Sequence, residues 1–146
     1  MHPSAEIVEA FYAAQRRFYA TGDAAGELRA LLAVDVTWHV PGRSAIAGTY
    51  RGRNEVLRYF ATRREIAGRT FRVTPRGMLA GAGRAVHFAD GEAAIDGQPR
   101  SWRTAGIFRI SGDQIAACWL LPFGQYQFSQ IWAHPAHRPE PEGTCR

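Results

Sequence analysis

The chain has 146 residues, 46% of them hydrophobic and 12% aromatic, and a formal net charge of +5. Its length predicts one domain whose core needs no disulfide or metal staple, and its composition excludes a disordered chain. All 18 basic residues are arginine, which excludes Schiff-base catalysis, because that chemistry needs a lysine amine.

Residues 4–20 predict a first helix: Ser4 can cap it, and Ile7, Val8, Phe11, Phe18 and Tyr19 form an apolar stripe at helical spacing. Gly22-Asp23 ends it, and Asp23 can cap a second helix running to about Leu32. Residues 34–40 alternate as a strand that stops at Pro41-Gly42. A third helix spans 53–66, with Val56, Leu57, Phe60 and Ile66 as its inner face and Gly68 as its terminator. Eight arginines fall within 51–76, but Glu55 and Glu65 interrupt them. Arg53, Arg63 and Arg64 are therefore expected on a solvated helix face, and no nucleic-acid partner is expected. Four extended segments follow at 70–80, 85–95, 100–110 and 114–121. Gly81-Ala82-Gly83, Asp96-Gly97 and Ser111-Gly112-Asp113 join them as hairpin turns. Residues 125–132 read as a short helix or an extended rim segment. Residues 133–146, rich in Pro and without periodicity, read as a disordered tail. Helices, one strand, another helix and then a run of antiparallel strands predict an α+β domain over 1–132.

Cys118 lies in an apolar run and Cys145 near the end, so no disulfide framework is expected and a reducing cytoplasm fits. The N-terminus shows no basic segment followed by an apolar one, and no apolar run has the length of a membrane span. HxH, HExxH and CxxC spacings are absent, as are a GxSxG elbow and a phosphate-binding glycine motif. Neither a metal nor an organic cofactor is expected.

Trp38-His39-Val40-Pro41-Gly42, the Gly-Asp pair at 22–23, the helix opening after Gly52, and a β-meander ending in Gln125-Tyr126 with Trp132 occur in an order that resembles the nuclear transport factor 2-like superfamily. The similarity is to its SnoaL-like and ketosteroid-isomerase-like members and covers about residues 4–132. It implies a cystatin-like cone: three N-terminal helices packed on a curved, mainly antiparallel sheet, with an apolar pocket between the layers. It also implies a homodimer formed through the outer sheet face. Three positions depart from the steroid isomerases. Their oxyanion-donating tyrosine corresponds to Gln15, their basic aspartate to Val40, and their protonated aspartate to Gly106. Valine and glycine side chains can neither hold nor donate a proton, which rules out the familiar isomerase route. The aspartate that SnoaL-type cyclases carry near the end of the last strand is replaced by Gly124.

Of the 13 carboxylates Asp35 opens the first predicted strand and only Asp90 and Glu92 lie inside one, and the register of the relatives turns these two away from the pocket. Histidine is left to move protons. His87 shares a strand face with Ala89, Gly91 and Ala93, small residues expected to leave space for a ligand, or else it faces solvent at an edge. His39 alternates away from Trp38. It is either a structural or interface histidine or, if the strand tip bulges, a catalytic one. Gln15, Tyr19, Trp38, Tyr59, Trp102, Thr104 and Tyr126 are the expected pocket lining. The expected activity is a cofactor-free conversion of a hydrophobic, polycyclic or polyketide-like metabolite: cyclisation, epoxide opening, dehydration or isomerisation. The alternative is a non-catalytic module of the same fold that binds a small molecule or a protein.

Overall fold

Helix α1 (Pro3–Thr21) opens on a proline, which removes only an N–H that has no intrahelical acceptor. The computed structural model describes residues 2–133. His2, not Ser4, caps α1: its Nδ1 accepts from the Ser4 N–H at 3.1 Å, and Ser4 itself is buried inside the helix. Gly22 ends α1 at φ 84°, its N–H donating to the Phe18 carbonyl at 2.8 Å. The expected Asp23 cap on α2 (Ala25–Leu31) is not made. Ala24 precedes that helix with φ 72° and no side-chain cap, and the Asp23 N–H donates to the Thr21 hydroxyl.

The chain continues through β1 (Leu32–Val40), β2 (Gly48–Arg51), α3 (Arg53–Ala67), a 3-10 turn (Gly68–Thr70), β3 (Arg72–Gly81), β4 (Arg84–Ile95), β5 (Gln98–Ser111), β6 (Gln114–Pro122) and α4 (Gln125–Ile131). β2 was not expected, because its four largely exposed residues carry no apolar alternation. Residues 125–131 resolve as a helix. The Pro-rich tail expected over 133–146 lies, apart from Ala133, outside the described residues.

The strands form one open six-stranded sheet in the order β2-β1-β6-β5-β4-β3, antiparallel except where β1 runs beside β6. Register shifts between Leu32 and Thr37 and between Pro75 and Gly77 bend the strands that carry them. Pro75 is tolerated because β3 is an edge. Asp96 and Gly97, both at positive φ, close the β4–β5 hairpin in the primed-turn manner that matches strand twist. The helices lie on one face of this sheet, so the α+β reading holds.

On β1, Val36, Trp38 and Val40 face inward while Thr37 and His39 face outward. Phe11 of α1, Trp38, Phe60 of α3 and Phe108 of β5 meet between the layers. Their ring centroids are 5.2–6.0 Å apart for the pairs involving Trp38 or Phe11. Aromatic volume therefore fills much of the space between helices and sheet. One expectation is corrected here. Gly91 leaves no room for a ligand, because the indole of its cross-strand partner Trp102 lies over it. A Cβ at residue 91 would sit 2.2 Å from Trp102 Nε1. Trp102 in turn packs against Phe71, Phe128 and Trp132.

Gly91→Ala is thus an overpacking change that must displace an indole wedged among three other rings. We expect it to cost about 1–3 kcal/mol. Urea denaturation, with tryptophan near-UV circular dichroism to follow the ring cluster, measures this; an unchanged midpoint would show that Trp102 shifts freely.

Candidate functional site

The inward residues of α3 are Val56, Tyr59, Phe60, Arg63, Ile66 and Ala67, a continuous stripe at three- and four-residue spacing. Arg63 therefore points into the protein and not, as expected, to solvent. It is 7% exposed. Its Nε donates to the Tyr19 hydroxyl at 2.8 Å and its Nη2 to Gln15 Oε1 at 3.0 Å. The guanidinium carbon lies 4.5 Å from the Tyr59 ring centroid and 5.0 Å from that of Phe71. All these partners are neutral, and among the described residues no ion pair includes Arg63. A guanidinium has five N–H donors and stays charged at any working pH. Among the described residues only two of the five are engaged.

Arg63 lines an inner cavity of ≈ 30 Å³ together with Gln15, Trp38, Trp102, Thr104 and Trp132, room for about two waters. Outside it, between α1 and β3, lies a cleft of ≈ 290 Å³. Tyr12, Gln15, Phe71 and Val73 line both spaces, which therefore adjoin. The remaining cleft wall includes Tyr19, Arg16, Arg69 and Arg72, with no carboxylate. Burial pushes the Tyr19 phenol up to about 12 even though Arg63 pulls the other way. Burial also raises Tyr59 and Cys118. None of these groups releases a proton near neutral pH, so the inner cavity offers hydrogen-bond donors and positive charge but no base.

The imidazole of His87 lies on the far side of Tyr12. The two rings stack at 3.9 Å with 16° between planes. His87 is 3% exposed, its Nδ1 has no hydrogen-bond partner, and burial pushes its pKa down to about 4. It lines a second cleft, of ≈ 300 Å³, which shares Tyr12 and Arg16 with the first.

The other predicted residues divide sharply. Gln15, Trp38, Trp102 and Thr104 line the inner cavity, Tyr19 lines the outer cleft, and Tyr59 lies under Arg63 with its hydroxyl unpartnered. Tyr126 does not join them. It is 75% exposed on α4 and accepts from Gln130 Nε2. His39 is on the opposite sheet face, stacked on Trp119 at 5.0 Å with Nε2 3.1 Å from the Thr37 hydroxyl oxygen. Asp90 also faces outward, held by Arg76 and Arg103. Arg63, Tyr12 and Phe71 were not anticipated. The α3 stripe would have exposed Arg63 had charged residues been admitted to it. Among the described residues no three His, Cys, Asp or Glu side chains gather as metal ligands, and no helix is long and apolar enough to cross a membrane.

Residues 8–118 match the model of the SnoaL-like domain, and the chain belongs to that family. No curated protein matches the sequence. Solved structures share the fold. Bal32a from a soil-derived mobile gene cassette is 24% identical with a TM-score of 0.80, over 89% of this chain and 96% of that one. A protein of unknown function with a cystatin-like fold from Xanthomonas campestris is 21% identical with a TM-score of 0.78, over 92% and 100%. A nuclear transport factor 2-like protein from Anabaena variabilis is 17% identical with a TM-score of 0.73, over 84% and 92%. The SnoaL-like family and the cystatin-like fold expected from the sequence are thereby established.

The buried histidine carries a pH signature. The folded state holds His87 neutral down to about 4, whereas an unfolded imidazole takes up its proton near 6.5. Between these values the unfolded chain binds more protons, so stability rises with pH. The contribution is complete above the unfolded value and is lost as pH falls toward the folded one. Chemical denaturation of wild type and His87→Phe reads it. From pH 7 to pH 5 the wild type should lose about 2 kcal/mol more than the variant. Parallel pH profiles would show that His87 is not held neutral by the fold.

Proposed function

We propose that this SnoaL-like protein binds a hydrophobic, planar metabolite in the clefts beside α1 and converts it without a cofactor, by proton transfer. The observation that carries this reading is His87: a buried, neutral imidazole with an unpartnered Nδ1, lining a cleft that shares the Tyr12 and Arg16 walls with the one adjoining the Arg63 cavity. A neutral imidazole nitrogen can accept a proton. Arg63, buttressed by Gln15 and Tyr19, can hold the oxygen on which negative charge develops. Enolisation, cyclisation, epoxide opening and dehydration each use an acceptor and a stabiliser on one substrate, which would have to reach past Tyr12 to meet both groups. The second reading, binding without turnover, is favoured by the Tyr12 ring that covers one face of the imidazole.

Ligand screening separates the readings. We expect a polycyclic ketone, aromatic polyketide or terpenoid epoxide to raise the melting midpoint; at a hundred times its Kd such a ligand adds about 2.7 kcal/mol. His87→Ala should keep the shift and lose turnover. Full turnover in that variant removes His87 from the mechanism, and binding without turnover in wild type selects the second reading.

The outer sheet face is assigned to a second copy of the chain. Leu79, Val86, Ile107 and Trp119 lie in register across β3, β4, β5 and β6, and His39 continues the row stacked on Trp119. Phe88 and Leu121 widen it. Leu79, Ile107, Trp119 and Leu121 are all exposed, a contiguous band unlike the scattered apolar residues of a monomer surface. A two-fold axis would lay the band on its own copy. Light scattering should give a dimer for wild type and a monomer for Trp119→Glu, and a monomeric wild type would remove the assignment.

A further inference from the structure

We propose that Arg63 is the anchor for an anionic ligand: the bound molecule is an aromatic acid whose carboxylate, phenolate or enolate oxygen enters the inner cavity and pairs with the guanidinium. This rests on reading the clefts beside α1 as the ligand site and names the class of molecule they accept.

Burying a charge without a partner is among the costliest arrangements in a protein, and it is normally offset by an opposite charge. Arg63 is buried, lines the cavity, keeps three donors unengaged and faces no carboxylate among the described residues. Tyr19 and Gln15 fix the guanidinium plane, leaving Nη1 without a hydrogen-bond partner among the described residues. Such a preset fork suits the paired oxygens of a carboxylate or an enolised dicarbonyl. A cavity of ≈ 30 Å³ takes a head group and little more, so the body of the ligand lies in the ≈ 290 Å³ cleft against Tyr12, Tyr19 and Phe71. Arg16, Arg69 and Arg72 surround that cleft and add a positive field that draws anions and repels cations.

The test compares naphthoate with its near-isosteric neutral amide by calorimetry, on wild type, Arg63→Gln and Arg69→Gln. The acid should bind wild type more tightly than the amide by about tenfold or more. Arg63→Gln should abolish that preference while keeping the amide affinity, and Arg69→Gln should retain it. Equal binding of acid and amide to wild type overturns the anchor and leaves the cleft standing as a ligand site. Binding of neither overturns the ligand-site reading and the anchor together. A preference that survives Arg63→Gln places the anion on the rim arginines and overturns the anchor. Should Arg63→Gln fail to fold, the arginine Nε–H resonances of wild type give the same answer. The acid must shift the buried, slowly exchanging Arg63 signal, and shifts confined to exposed arginines overturn the proposal.

Discussion

A permanently charged guanidinium sits between the helices and the sheet of this domain without an opposite charge among the described residues, and much of the interior is arranged around it. Arg63 reaches inward because α3 presents residues 56, 59, 60, 63, 66 and 67 on one face. Once there, it is held by oxygens and rings. The Tyr19 hydroxyl and the Gln15 amide accept from it, and Tyr59, Phe60, Phe71 and Tyr19 surround it with π faces. Cation–π contacts strengthen when desolvated but do not replace a counter-ion. α1 and α3 are joined by these polar bonds in a region otherwise closed by apolar packing.

The chain keeps the architecture of its family, while the acids that the resemblance to steroid isomerases would set at residues 40 and 106 are absent. The resemblance sets Gly106 at the isomerases' protonated aspartate. A Cβ there would come within 2.9 Å of Phe108 Cε1 and 3.4 Å of the Tyr12 hydroxyl oxygen, so the space is occupied by rings. Val40, at the place of the basic aspartate, is 3% exposed and part of the core. Asp90 faces outward between Arg76 and Arg103, and Glu9 lines the cleft of His87, away from the inner cavity. The charge in the inner cavity of this chain is cationic and sits on α3.

Local rules made most of the fold legible in the sequence. The glycines at 22 and 68, the turn residues at 96–97 and 111–113, and the alternation of Val36, Trp38 and Val40 each specify a backbone event within a few residues. The site was legible only in part, for two physical reasons. Assigning charged residues to the solvent face is sound for an isolated helix, but it hid Arg63, whose burial depends on Tyr19 and Gln15, 44 and 48 residues away. Counting small side chains as empty volume likewise failed at Gly91, because the occupant, Trp102, arrives from the next strand. Tyr126 went astray for the same reason as β2: short segments at the rim lack periodicity from which to read a face.

The energetic consequence concerns the balance between stability and binding. A core with an apolar residue at 63 would avoid the desolvation of a guanidinium, and such replacements of buried ions are often neutral or stabilising. Keeping the charge therefore imposes a cost on the empty protein that packing alone does not explain. An anion entering the cavity would offset part of that cost, because Tyr19 and Gln15 already fix the guanidinium and little reorganisation is needed to accept a new partner. Binding free energy and folding free energy are then linked through one side chain: the same group that lowers the stability of the empty domain raises its discrimination between an acid and its neutral isostere. On the proposed reading, selectivity comes from a charge that has no counter-ion among the described residues, with the aromatic walls supplying area and Arg63 supplying the choice.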